Sequence, residues 1–108
     1  MSFDDIAAEF NLDDLCPEID NQLQGDFIDI LGNNEFELGI FPEEDPNNDS
    51  NFIITCEFME ASGSINSSQV EQVKLKVTDA LKNMIGERWG EIQDNFSGVT
   101  IYFNDDQY

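Results

Sequence analysis

No lysine or arginine precedes Lys74, whereas eighteen carboxylates lie between Asp4 and Glu71. Any fold of the first two thirds must therefore carry its acids with almost no neighbouring cation to offset them. The last thirty-five residues add six acids and all four bases, for a formal net charge of −20 over 108 residues. Such a charge works against the compact state through self-repulsion. A magnitude of about 2 to 8 is enough to keep a small domain soluble, so the excess points to a use for the charge itself.

The length suits one domain, residues 1–108, with a single core. Acidic chains poor in apolar residues stay unfolded, but here 40% of residues are hydrophobic and nine are Phe, gathered in periodic segments. The charge decorates a fold. Cys16 and Cys56 make one bridge at most, which favours a thiol-reducing compartment. No apolar run approaches the ~20 residues of a membrane span, and the opening Met-Ser-Phe-Asp-Asp lacks the features of a secretory signal. The expectation is a cytoplasmic protein with no membrane association.

Periodicity divides the chain into elements. Ser2 with Asp5, followed by Phe3, Ile6, Ala7 and Phe10 at helical spacing, reads as a short capped helix. A second short helix begins near Asp14, places Leu15, Ile19 and Leu23 on one side, holds Pro17 in its first turn and ends at Gly25. Residues 26–31 and 35–41 read as two strands of a hairpin turning at Gly32-Asn33-Asn34. Residues 42–51, rich in Pro, Asn and acids, read as a long acidic loop. A strand follows over 52–60, then a polar loop. A long helix comes next, with Ser68 and Glu71 at capping-box spacing and Val70, Val73, Val77, Ala80, Leu81 and Met84 on one stripe before Gly86. Trp89, Ile92 and Phe96 suggest a further short helix. Val99, Ile101 and Phe103 alternate in a last strand before a polar tail. The order predicts an α+β fold in which a mainly antiparallel sheet of about four strands packs on one long helix, with short N-terminal helices.

The absence of histidine removes the commonest general base and the commonest metal ligand. A catalytic cysteine needs a cationic neighbour, but Cys16 and Cys56 sit in acidic sequence and read as small buried hydrophobes. The chain is not expected to be an enzyme, nor to need a cofactor. Asp45, Asn47 and Asp49 have the alternation of a calcium loop. The sixth position is Ser50 where Gly is required, the twelfth is Cys56 where Glu is required, and Pro46 lies inside. No metal site is assigned, and the loop reads as solvated.

The anionic surface is the remaining candidate. Alternate residues of a strand lie ~6.8 Å apart on one face, and residues four apart on a helix rise ~6 Å. Glu35 with Glu37, or Asp5 with Glu9, thus give steps like those of a phosphate backbone. In composition, size and lack of catalytic residues the chain resembles the DNA-mimic inhibitors encoded by phages and mobile elements, including antirestriction and anti-CRISPR proteins. The resemblance covers the whole chain compositionally and carries no motif. It implies a stoichiometric inhibitor that occupies the basic DNA-binding groove of a nucleic-acid-binding protein such as a defence nuclease. Such an inhibitor acts in the host cytoplasm, often as a dimer, and does not itself bind nucleic acid. The rival readings are an immunity or antitoxin-like protein that neutralises a basic toxin, and a domain adapted to high salt. The partner-facing charge is expected on Asp26, Asp29, Glu35, Glu37, Glu43, Glu44, Asp45 and Asp49. Apolar residues on both faces of the 52–60 strand leave room for a homodimer.

Overall fold

Eight principal elements account for the chain in the computed structural model, which describes residues 2–33 and 35–108. Helices α1 (Phe3–Glu9) and α2 (Leu12–Leu31) lead into strands β1 (Glu37–Asp45) and β2 (Asn48–Met59). Helix α3 (Ser67–Ile85) follows. A succession of short helical turns around α4 (Trp89–Ile92) then runs into β3 (Phe96–Phe103) and a two-residue β4 (Asp106–Gln107). The fold is α+β, with a four-stranded sheet in the order β1-β2-β3-β4.

The capping expected at Ser2 is present: its hydroxyl accepts from the Asp5 N–H while the Asp5 carboxylate accepts from the Ser2 N–H. Helix α2 departs from the reading. It starts at Leu12, passes through Pro17 as its sixth residue, crosses Gly25 and runs on for 20 residues, so it is not short. The six residues 26–31 are its last turns and not a strand. The buried positions Cys16, Ile19, Leu23 and Phe27 form one stripe at intervals of three and four, and this longer stripe outweighs the local run of β-favouring residues Phe27, Ile28 and Ile30. Gly25 is exposed on the opposite side. Its cost of about 1 kcal/mol relative to Ala is bearable in a helix held by packing. Gly32, at φ +76°, is the true stop, its N–H donating to the Ile28 carbonyl at 2.8 Å. Asn34, read as part of a hairpin turn, lies outside the described residues.

The hairpin forms one step later. β1 and β2 pair antiparallel from Glu37↔Met59 to Glu44↔Phe52 and close at Asp45↔Asn48, so residues 42–51 are mostly strand and not a long loop. Two features explain the misreading. Pro42 sits in a strand because β1 is at the sheet edge, where a missing N–H need not break a ladder. Asp45-Pro46-Asn47-Asn48 is a turn with the Asp45 side chain accepting from the Asn47 N–H at 2.9 Å, the local bonding for which Asp is favoured at a turn's first position.

β2 and β3 pair parallel from Phe52↔Phe96 to Phe58↔Phe103, with α3 as the crossover that parallel strands require. The sheet is therefore mixed and not mainly antiparallel. The polar tail adds β4 antiparallel to the end of β3. The cap of α3 is also shifted, to Asn66 and Gln69, which exchange side-chain and backbone bonds at 2.8 and 2.9 Å. Gly86 ends the helix as expected, while Phe96 opens β3 instead of closing a helix.

One core joins the helices to one face of the sheet. Ile6, Leu12, Ile19 and Phe27 from the first two helices and Val73, Val77 and Leu81 from α3 meet Phe52, Ile54, Cys56, Phe58 and Ile101 of the strands. Phe58 anchors it, with Phe27 and Phe36 edge-on at 5.5 and 5.3 Å. Two long helices thus share the sheet, α2 against β1 and α3 against β3. No described helix is long and apolar enough to cross a membrane.

Candidate functional site

Because side chains alternate along a strand, burying Ile40, Ile54, Cys56, Val99 and Ile101 against the helices turns another set outward. On β1 that set is Glu37, Phe41, Glu43 and Asp45, on β2 Ile53, Thr55, Glu57 and Met59, and on β3 Thr100 and Tyr102. This face contains carboxylates and no lysine or arginine. It is not uniformly wet, for Thr55 has no exposed surface although it points away from the core. Phe41 and Thr100 flank it in register.

A cleft of about 410 Å³ opens on this face at the turn end of the hairpin. Glu43, Glu44 and Asp45 with the Pro46-Asn47 turn form one side, and Ser97, Thr100 and Tyr102 the other. Ile53 lies between them, since it pairs with Glu43 on one flank and Gly98 on the other. Two polar contacts shape it. The Thr55 hydroxyl donates to Glu43 Oε1 at 2.6 Å, and the Ser97 hydroxyl donates to Asp45 Oδ2 at 2.6 Å. Ser97 reaches Asp45 because β3 carries a bulge there: Phe96 pairs with Phe52 but Gly98, at φ +120°, pairs with Ile53. A bulge of this kind re-aims a side chain at a sheet end. The Ser97 hydroxyl, and next the Asn47 N–H, hold the Asp45 carboxyl below its usual range, because both donate to the ionised form.

Much of the remaining charge lies on the helices. Asp13, Asp14, Glu18 and Asp29 are exposed on α2, and Asp4, Asp5 and Glu9 on α1. The ion pairs among the described residues both use Arg88, with Glu9 at 2.7 Å and Glu91 at 2.9 Å. Arg88 also stacks over Phe10, 4.4 Å from the ring centroid. Glu9 is therefore committed, and its pairing with Asp5 as a phosphate-like step is lost.

The eight acids read as partner-facing do not form one patch. Glu43, Glu44 and Asp45 come together at the cleft. Glu37 starts the same strand, six residues or ~20 Å from Glu43, and Glu35 precedes it. Asp26 and Asp29 belong to α2, in the helical layer behind the sheet. Asp49 lies in the stretch of β2 between Asn48 and Phe52 that has no partner in β1. Among the described residues no group of three or more metal-ligating side chains gathers, and Asp45 spends its oxygens on Ser97 and Asn47. Ser97, Thr100 and Tyr102 were not anticipated as site residues. The alternation of Val99, Ile101 and Phe103 already implied that Thr100 and Tyr102 face the other way, but only the strand order sets them beside Glu43.

Both thiols are buried and free. Burial, and next the charge of Asp13, pushes the Cys16 thiol up to about 12, and burial drives Cys56 higher still. No protein-family model, curated protein or solved structure matches this chain.

Proposed function

We propose that this chain is an acidic DNA-mimic protein that inhibits a nucleic-acid-binding protein, such as a restriction or CRISPR defence nuclease, by occupying its basic groove. The observation that carries the reading is the unpaired state of the charge. Of 24 carboxylates, all but Glu9 and Glu91 lack an ion-pair partner among the described residues. The spacing supports it. Asp14 and Glu18 are one helical turn apart on α2, ~6 Å in rise, and Glu43 and Asp45 are ~6.8 Å apart on β1. One strand of duplex DNA presents a phosphate every ~3.4 Å, so these steps follow alternate phosphates. Acids are exposed on the helices and on the edge strand alike, and the summed charge gives a basic protein an anionic field that accelerates encounter. The chain is expected to act without catalysis or cofactor, in the cytoplasm of the cell that contains the target.

A second reading, an immunity-type protein that neutralises a basic toxin, is favoured by the concavity of the cleft, since a surrogate for duplex DNA has no need to receive a protruding side chain. One experiment separates the two. The immobilised protein is used to capture partners from host lysate, which are eluted in parallel with duplex DNA at constant ionic strength and with salt, then identified by mass spectrometry. The mimic reading expects a DNA-binding protein released by DNA. A partner released by salt alone supports the immunity reading, and recovery of nothing specific rejects both.

A further inference from the structure

Three donors are committed to the carboxylates at the cleft. The Thr55 hydroxyl donates a hydrogen bond to Glu43 and the Ser97 hydroxyl one to Asp45, while the Asn47 N–H donates to the other Asp45 oxygen. Each carboxylate oxygen accepts two hydrogen bonds, so Glu43 Oε2 and the second lone pairs of the remaining oxygens stay open. Beside the hydroxyls of Thr100 and Tyr102 and the amide of Gln107, the cleft offers acceptance and negative charge held in fixed directions. A ligand rich in donors and without acceptors matches it. Two side chains of proteins have that character, and the cleft distinguishes between them.

We infer that the cleft between the hairpin end and β3 receives an arginine side chain from the basic partner. This rests on the reading that the partner is a basic protein, whichever way that protein is inhibited. Charge is complementary: Glu43, Glu44 and Asp45 border the cleft, and its lining contains no Lys or Arg. The three lysines are on α3, in the layer behind the sheet. Shape is complementary too. A guanidinium is a planar fork able to bond two carboxylates at once, whereas an ammonium is a point charge. Glu43 and Asp45, on one face of β1, supply the two carboxylates. The walls fit an arginine as well. Tyr102 presents a half-buried ring on which a guanidinium stacks, and Ile53, also half-buried, gives the methylene stem an apolar surface to lie on. The volume, about 410 Å³, falls in the range of ~300 to 1,000 Å³ of clefts that hold ligands.

The test is an NMR titration of the isotope-labelled full chain with three blocked tripeptides, acetyl-Gly-X-Gly-amide, where X is arginine, lysine or the neutral isostere citrulline. Arginine is expected to shift amides of residues 43–47 and 97–102, at least threefold more tightly than lysine, with citrulline inert. Tyr102→Leu should weaken arginine severalfold and leave lysine within twofold. Glu43→Gln with Asp45→Asn should weaken arginine at least tenfold. Because that pair also bonds within the protein, Thr100→Arg, which fills the cleft without touching either carboxylate's donor, serves as the second variant and should abolish the arginine response with the rest of the spectrum unchanged. Shifts spread over α1 and α2 with the cleft unmoved, equal responses to arginine and citrulline, or no response at all would overturn the inference. Capture of a DNA-released partner together with any of those results removes the cleft and leaves mimicry standing. The reverse pair of results removes mimicry alone.

Discussion

Asp45 was read as a solvated loop acid and is instead the most tightly bonded carboxylate of the cleft, accepting from Ser97 and from the Asn47 N–H. Replacing Ser97 with Ala removes the larger of the two influences that hold its pKa down, so that value should rise toward the ordinary 3.8, as read by a carboxyl-carbon NMR titration. The sign for stability follows. A carboxyl depressed in the folded state contributes stability that is present above its unfolded pKa and lost as pH falls through the folded one. Wild type should therefore exceed Ser97→Ala in unfolding free energy at neutral pH, and the two should converge as pH falls through the depressed folded value. A constant difference across that range would show that Ser97 acts through packing alone. The cysteines present the opposite case, since sequence alone identified them as buried hydrophobes and both are buried.

At the scale of elements, α2 and the hairpin show why a six-residue pattern misleads. Residues 26–31 satisfy a strand's alternation loosely and a helix's spacing equally well. The choice is made by Cys16, Ile19 and Leu23 upstream, whose stripe Phe27 extends into the core. Poor helix propensity marks Gly25 as a terminator in the sequence, yet it lies on the exposed side with nothing within 4 Å of where a Cβ would stand. Gly25→Ala should accordingly stabilise the protein by about 0.5 to 1 kcal/mol, chiefly through the entropy of the unfolded chain. Chemical denaturation would register this as a higher midpoint at unchanged slope, and a lower midpoint would mean that the helix bends there. The α3 cap was misplaced by two residues for a related reason, because Asn66/Gln69 and Ser68/Glu71 both have the capping spacing. The first pair wins by leaving Val70 and Val73 buried and by letting the Gln69 amide also donate to the Ile30 carbonyl at 3.1 Å, which ties α3 to α2.

For the molecule as a whole, the balance is between one apolar core and a surface of largely unpaired carboxylates. Repulsion among exposed charges is screened as the Debye length falls from ~30 Å at 0.01 M salt to ~8 Å at 0.15 M. The melting temperature should rise over that interval by several degrees, since about 1 kcal/mol shifts a domain of this size by ~4 to 8 °C. A flat or falling value would mean that the acids are spread too widely to repel, and would weaken the argument from charge. A continued steep rise toward molar salt would instead favour the salt-adapted reading.

Sequence alone determined which segments are apolar on one side, the polyanionic character, the first helix with its cap, the long helix closed by Gly86 and the α+β class, because each is a property of spacing within about twenty residues. The tertiary structure decided everything that depends on which elements become neighbours. It converted residues 26–31 from strand to helix, made the central pair of strands parallel and committed Glu9 to Arg88 across 79 positions. It also set Asp45 against Ser97 across 52. The cleft exists only through that last juxtaposition. Its two sides come from segments whose local patterns say which way each side chain points but not what it will face, and the strand order that joins them is selected by burial of the whole core at once.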